Sequence, residues 1–292
     1  MTRLQKKTLR LHSTPKTARK DPLALRWSCW TDKGRKRKNN EDSFLCVRYD
    51  TMDLNRLGKF GKASLGEMDF VFAVSDGMGG AMAGEFASKI AVEKITTMLP
   101  GAFPYATSAN HARQGDSLVE LYRQIHRALA NLGQCYEECR GMETTMSLCL
   151  FSGRELHFAH VGDSRIYHLP PGTGTLRQIT QDDTYVAWML RQGRISEWEA
   201  RTHPRRNVLQ KALGSDNIYV DPQTGFQKLQ KGDLFILCSD GLSEGLYPHQ
   251  MMDILRQESP ADPFQNPARR LVQASVEADG KDNVTALVVE VE

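Results

Sequence analysis

Asp69-Phe-Val-Phe-Ala-Val-Ser75-Asp76-Gly77 is an apolar run that stops at an aspartate and a glycine. Its β-branched and aromatic residues read as a buried strand, and the Asp-Gly that closes it reads as the turn at the strand's end. The chain repeats the pattern. Leu234-Phe-Ile-Leu-Cys238 ends in Ser239-Asp240-Gly241, and the run from Leu156 to Val161 ends in Gly162-Asp163-Ser164-Arg165. Two further acidic clusters precede a strand: Asn39-Asn40-Glu41-Asp42 near the start, and Gly280-Lys281-Asp282-Asn283 near the end. Strands lying side by side would bring these carboxylates together, and close like charges repel strongly in a partly desolvated site. Such a group needs cations, and all-oxygen donors favour Mg²⁺, Mn²⁺ or Ca²⁺ over zinc. A lone Asp-Gly marks a turn; five acid-bearing strand ends in one chain point beyond that.

Outward from these runs, strands are expected at Leu25–Thr31, Ser43–Tyr49, Asp69–Ser75, Thr144–Phe151, Glu155–Val161, Arg165–Leu169, Asp233–Ser239 and Val284–Val291. Two stripes have helical spacing: Ala83, Phe86, Ala87, Ile90, Ala91 and Met98, then Leu118, Leu121, Ile125, Leu129, Leu132 and Tyr136. Shorter helices are expected at Thr184–Gln192, Ser196–Thr202, Pro248–Arg256 and Pro267–Ala278. Residues 50–68 and 99–117, with Gly, Lys, Ser and little periodicity, read as surface insertions. Strands that follow strands, with helices in batches, argue for antiparallel sheets with helices packed outside.

The 292 residues suffice for one large domain or two small ones. No apolar stretch of membrane-spanning length exists, and no apolar leader segment is visible. The six cysteines match no common zinc spacing and read as small core residues of a reduced, cytoplasmic protein. Charge is unevenly spread. Residues 1–38 carry 13 Lys and Arg against Asp21 and Asp32, a net +11, which leaves −8 on the rest of the chain. Residues 1–24 lack periodicity and read as a basic, disordered tail. No aromatics interleave with its charges, so no nucleic-acid partner is expected.

At these motifs the sequence resembles the PPM family, the type 2C metal-dependent protein phosphatases, in its bacterial style. The segments stand in family order: Thr31 to Ser43, Ser75-Asp-Gly-Met-Gly-Gly to Ser88, Met142-Glu-Thr-Thr145, Val161-Gly-Asp-Ser-Arg165, His203-Pro-Arg-Arg-Asn207, Leu213-Gly214, Cys238-Ser-Asp-Gly-Leu242 and Lys281-Asp-Asn-Val284. The resemblance implies an α+β fold, a four-layer αββα sandwich of two antiparallel sheets flanked by helices, over residues 25–292. It implies two Mn²⁺ or Mg²⁺ ions, with Asp76 bridging them, Gly77 giving its carbonyl to one, and Asp240 and Asp282 holding the other. Glu41 and Asp42 would bind through or orient metal-bound waters. Asp163 would join Asp240 at a third, weaker metal, and Arg37 would bind the phosphoryl group. The implied activity is hydrolysis of phosphoserine and phosphothreonine in proteins by a metal-activated water, without a covalent intermediate. The implied partners are phosphorylated proteins, among them a Ser/Thr kinase and its substrates, and the enzyme would be a monomer without a membrane span.

Two positions depart from the family's pattern. Met78 stands where many eukaryotic relatives have a histidine proposed as general acid, and Asp183 stands where a histidine is frequent in the flap-like stretch 181–214. His160 and His203 read as structural or catalytic alike. Other chemistries fail on register. Gly241-Leu-Ser243-Glu-Gly245 fits a nucleophile elbow, but only His249 follows it, too near in sequence to complete a triad. A dinucleotide fingerprint starting at Gly77 would need glycine at Met82, and no P-loop occurs. A phosphoprotein-binding regulator of the same fold would be marked by lost metal-binding acids, and Asp76, Asp240 and Asp282 are all present.

Overall fold

The computed structural model describes residues 23–50, 53–66, 68–79, 83–102, 111–214, 219–257 and 266–292. Its strands, in chain order, are β1 (Leu23–Asp32), β2 (Asp42–Tyr49), β3 (Leu54–Arg56), β4 (Phe60–Leu65), β5 (Asp69–Met78), β6 (Glu143–Thr144), β7 (Met146–Ser152), β8 (Glu155–Val161), β9 (Arg165–Leu169), β10 (Arg177–Gln178), β11 (Gln223–Lys228), β12 (Leu234–Cys238) and β13 (Val284–Val291). The helices are α1 (Ala83–Ala102), α2 (His111–Cys135), α3 (Tyr185–Arg191), α4 (Glu197–Thr202), α5 (Asp240–Gly245), α6 (Pro248–Arg256) and α7 (Pro267–Ala278). One sheet runs β10-β9-β12-β13-β1-β4 and the other β11-β8-β7-β5-β2-β3, with β6 a short extension on β5. Every pairing within them is antiparallel.

Strand alternation explains why the sheets stack. On β5, Phe70, Phe72 and Val74 enter a core shared with Trp27 of β1 and Phe235 and Leu237 of β12, so it lies between the two sheets. The intervening Val71 and Ala73 join Leu45 and Val47 of β2 in a second core closed by α1 and α2. The outer face of the other sheet packs Ile236, Ala286 and Val288 against α5, α6 and α7. Three apolar cores thus separate four layers, as expected for αββα. Aromatic rings bind the middle core. Trp27 lies 6.1 and 6.0 Å from Phe70 and Phe72, and Phe151 meets Phe72 and Phe235 edge-on, both at 5.7 Å. Gly61 makes room for the Trp27 indole, since a Cβ there would stand 2.5 Å from the ring.

The expected central strands and helices all form, with several corrections. Strand β1 starts at Leu23, so Leu23 and Ala24 belong to the sheet and not to a tail, because Leu23 is buried. The rest of the expected tail lies outside the described residues. Residues 50–68 are not a plain insertion: they contain β3 and β4. In the stretch 99–117, α1 continues to Ala102 and α2 begins at His111; residues 103–110 lie outside the described residues. On α1 the buried line is Ala83, Ala87, Ala91, Ile95 and Leu99, every fourth residue, which leaves Phe86 at the rim and 44% exposed. Tyr136 falls past the end of α2 and is exposed.

One buried charge lies at the end of β5 remote from Asp76. Asp69 is 6% exposed, and burial lifts its carboxyl to about 6 despite a hydrogen bond with Ser152. The hydroxyl of Tyr49, its register partner on β2, is buried without a hydrogen-bond partner among the described residues. A carboxyl whose folded pKa is raised above its unfolded value costs stability as pH rises from about 4 to about 6, and the full cost remains above that window. Asp69→Asn is therefore expected to stabilise the protein by about 1–2 kcal/mol at pH 7.5 and not at all at pH 4. Urea unfolding at the two pH values checks this; an equal shift at both would show that the carboxylate charge is not the cause.

Candidate functional site

Antiparallel pairing gathers the five acidic segments at one end of the sandwich. Asp42 opens β2 directly opposite Asp76, near the end of β5. Asp163 lies in the turn between β8 and β9, Asp240 opens α5 just after β12, and Asp282 stands just before β13. Two sheets contribute, and Asp42 links them: its Oδ2 accepts from Ser239 Oγ at 2.7 Å and Thr285 Oγ1 at 2.6 Å, both from the opposite sheet. The backbone of Asp76 is held on both sides. Its N–H donates to Thr145 Oγ1 at 3.1 Å, and its carbonyl accepts from Thr145 N at 2.8 Å and Thr144 Oγ1 at 2.7 Å. Gly77 is locked between β2 and α1: its N–H donates to Glu41 O, and a Cβ would stand 1.9 Å from Gly84 O.

The loop 33–41 brings the positive charge. Arg37 Nη2 lies 2.6 Å from Asp282 Oδ2, and Nη1 lies 3.9 Å from Glu41 Oε2. Arg37 remains half-exposed, so its guanidinium faces both the acids and solvent. Arg35, which had no expected role, donates to the carbonyls of Glu277 and Asp279 and so caps the end of α7.

Burial first, and then nearby carboxylates, raise Asp76, Asp240, Asp42, Asp163 and Glu41. Burial and then the charges of Asp42, Asp240, Asp163 and Asp282 push Asp76 far above the usual carboxylate range. Burial and then Asp163 and Asp282 do the same to Asp240. Asp42 is pushed up to about 6 by burial, against the opposing hydrogen bonds of Thr285 and Ser239. Asp163 is pushed up to about 7 by burial and by Asp182, with Arg165 opposing. Glu41 is raised by burial, which outweighs the attraction of Arg37. Oδ1 of Asp42 and Oδ1 of Asp240 are buried without a hydrogen-bond partner among the described residues. Unpartnered buried carboxylate oxygens are costly. Hard oxygen donors that repel one another fit a hard divalent cation, which, directly or through the waters it carries, would satisfy the orphaned oxygens and relieve the repulsion. Among the described residues no three carboxylates, imidazoles or thiolates already form a finished ion cage.

Sequence reading missed three members of this neighbourhood. Glu244 adds charge against both Asp163 and Asp240. It sits four residues after Asp240, on one helix face, a signal hidden because the glycine-rich α5 was not foreseen. Asp182 forks onto Arg165, with Nη2–Oδ2 at 2.6 Å and Nε–Oδ1 at 3.0 Å. Asn283 ties the Arg37 loop to β13. A cleft of about 980 Å³ opens from Asp163 and Asp240 between α3, α4 and the start of α6, with Trp198, Arg201 and Tyr247 among its walls.

The ambiguous residues also find their places. His160 is buried, with Nδ1 on Ser147 Oγ and Nε2 on Gly162 O, and is structural. His203 Nδ1 accepts from Arg205 N in the turn after α4. Asp183 accepts from Gly162 N at 3.2 Å and donates its own N–H to Gly162 O at 2.7 Å, tying the flap to the Asp163 turn. Ser243 lies inside α5 and donates to Asp240 O, so it forms no nucleophile elbow.

The family model described as protein phosphatase 2C matches residues 59–283. The chain is 33% identical over 275 residues to the serine/threonine protein phosphatase PstP of Mycobacterium tuberculosis, covering 92% of this chain and 45% of that protein. It thus spans about half the length of that relative. It is 31% identical over 261 residues to the serine/threonine phosphatase stp of Listeria welshimeri, covering 89% of this chain and 93% of that one. The crystal structure of the PstP catalytic domain with two manganese ions superposes with a TM-score of 0.71 at 31% identity, over 92% of this chain and 99% of that one.

Proposed function

Since the chain belongs to the protein phosphatase 2C family, we propose that it is a Mn²⁺- or Mg²⁺-dependent phosphatase acting on phosphoserine and phosphothreonine of proteins. The observation that carries this reading is the convergence of Asp42, Asp76, Asp163, Asp240 and Asp282 on one end of the sandwich, with one buried oxygen each of Asp42 and Asp240 left unpartnered among the described residues and Arg37 resting on Asp282. Asp76, the Gly77 carbonyl, Asp240 and Asp282 would hold two cations, with Glu41 and Asp42 alongside. Asp163, with Asp240 and Glu244, would hold a third. When bound, such ions would lower the pKa of a water and stabilise the charge of an in-line displacement.

The chain's own residues do the rest. Arg37 stands at the solvent edge of the cluster and presents two N–H groups for a phosphoryl group, a geometry that lysine lacks. Asp42 keeps Oδ2 occupied by two hydroxyl donors and leaves Oδ1 free to take a proton from an attacking water. Met78 offers no proton, so the side chain at that position does not assist the leaving alkoxide. The cleft of about 980 Å³ that opens at Asp163 and Asp240 would receive the polypeptide flanking a phosphoresidue. No helix among the described residues is long and apolar enough to cross a membrane. A cytoplasmic monomer opposing a Ser/Thr kinase completes the proposal.

Release of phosphate from a phosphothreonine peptide is expected with Mn²⁺ and is expected to vanish with excess EDTA. Turnover that survives EDTA would refute metal dependence. A folded protein inactive with every divalent cation tried would instead favour a phosphoprotein-binding regulator.

A further inference from the structure

We propose that Asn283 is a positioning residue that sets the affinity for the phosphoryl group by stapling the Arg37 loop in place. This rests on the reading of Arg37 as the phosphate clamp and assigns what holds that clamp. The loop from Lys33 to Glu41 carries Lys33, Arg35, Lys36, Arg37 and Lys38 and contains no helix or strand. Five cations in six residues repel one another and favour an open chain. Only contacts to the rest of the fold can oppose that spreading.

Asn283 supplies three of them from one buried side chain. Its Nδ2 donates to the carbonyls of Lys33 and Asn39, both at 2.9 Å, and its Oδ1 accepts from Glu41 N at 2.8 Å. The amide therefore grips both ends of the loop, with Arg37 displayed between them. Asn283 is 3% exposed, so each bond it lost would strand a polar group with little water to replace it. Its own backbone is tightly packed. Its carbonyl abuts Gly241, where a Cβ would stand 2.1 Å away, and its N–H donates to Asp282 Oδ1 at 2.7 Å. Gly34 at the loop's entry is pressed equally tightly on the Asp282 carbonyl, at a φ of +72°. The loop is thus registered against the residue pair that includes Asp282, the carboxylate on which Arg37 rests. Asp and Asn at 282 and 283 divide the work: one faces the guanidinium, the other fixes the backbone that delivers it.

The test uses the full chain with five proteins: wild type, Asn283→Ala, the near-isosteric Asn283→Asp, Arg37→Ala, and the Asn283→Ala/Arg37→Ala pair. At saturating Mn²⁺ with a phosphothreonine peptide, Asn283→Ala is expected to raise KM about tenfold, with kcat within about threefold of wild type. The double variant is expected to match Arg37→Ala within about twofold, because two residues acting through one contact are not additive. In EDTA and without substrate, tryptic cuts after residues 33–38, scored by mass, are expected to quicken about tenfold or more in Asn283→Ala and Asn283→Asp. An unchanged KM, additive losses in the double variant, or unchanged cleavage would overturn the inference. So would weakened Mn²⁺ binding in a fluorescence titration, since Asn283 would then act through Asp282. If Arg37→Ala itself leaves KM unchanged, the clamp reading fails first; if it raises KM and Asn283→Ala does not, this inference alone fails.

Discussion

Asp76→Asn is expected to lower turnover by about 10³-fold or more while the protein stays folded. Asp76 sits where β5 and β2 pair side by side at the acid-bearing end of their sheet, and four other aspartates raise its proton affinity. Loss of its charge would weaken the hold on both proposed cations at once. The same change removes the centre of the mutual repulsion. In EDTA the melting temperature of the variant is therefore expected to equal or exceed that of the wild type. Added Mn²⁺ should stabilise the wild type by mass action and leave the variant unmoved. The paired readout separates a metal ligand from a structural acid. A variant that melts lower in EDTA, or that still gains stability from Mn²⁺, would place Asp76 outside the metal site. The backbone bonds of Asp76 to Thr144 and Thr145 do not involve its carboxylate, so they survive the substitution.

Gly77→Ala, one residue on, is expected to act on the fold. Its Cβ would stand 1.9 Å from Gly84 O and 2.9 Å from Glu41 O, both backbone atoms that no rotamer can move aside. Helix α1 would have to back away from β5, opening the core lined by Ala83, Ala87 and Ala91. A cost of about 3 kcal/mol follows, which would lower the melting temperature by about 6–10 °C. Gly115→Ala is the matched control. It lies within α2 with nothing within 4 Å of the added carbon, so it should stabilise by about 0.5–1 kcal/mol. Differential scanning calorimetry of both variants decides the point. Equal melting temperatures for Gly77→Ala and wild type would mean that strand and helix are not held at this distance.

The fold was legible where burial is two-sided and hidden where it is not. The central strands β1, β2, β5, β7, β8, β9, β12 and β13 are long or apolar, and each was visible from composition and turn residues alone. The strands missed, β3, β4, β10 and β11, are the outermost members of the two sheets. Edge strands bury little: Gln223–Lys228 alternates half-buried and exposed, and Arg177–Gln178 is exposed throughout. Their sequences carry the polar residues that solvent permits, and only a neighbouring strand makes them β. Helix α5 was missed for another reason: Asp240-Gly-Leu-Ser-Glu-Gly245 has two poor helix formers, and its packing against α7 and β13 overrides propensity.

The acids of the site show the same division. Asp76, Asp163, Asp240 and Asp282 could be picked from the chain because strand ends and glycines mark them locally. That Asp42 would receive hydroxyls from Ser239 and Thr285, or that Arg37 would rest on Asp282, 245 positions away, is written nowhere near those residues. Local spacing records which side chains are buried and where strands stop. Tertiary packing alone decides which strand ends meet, and electrostatic coupling, which falls with distance in space and not along the chain, comes into being only once they do.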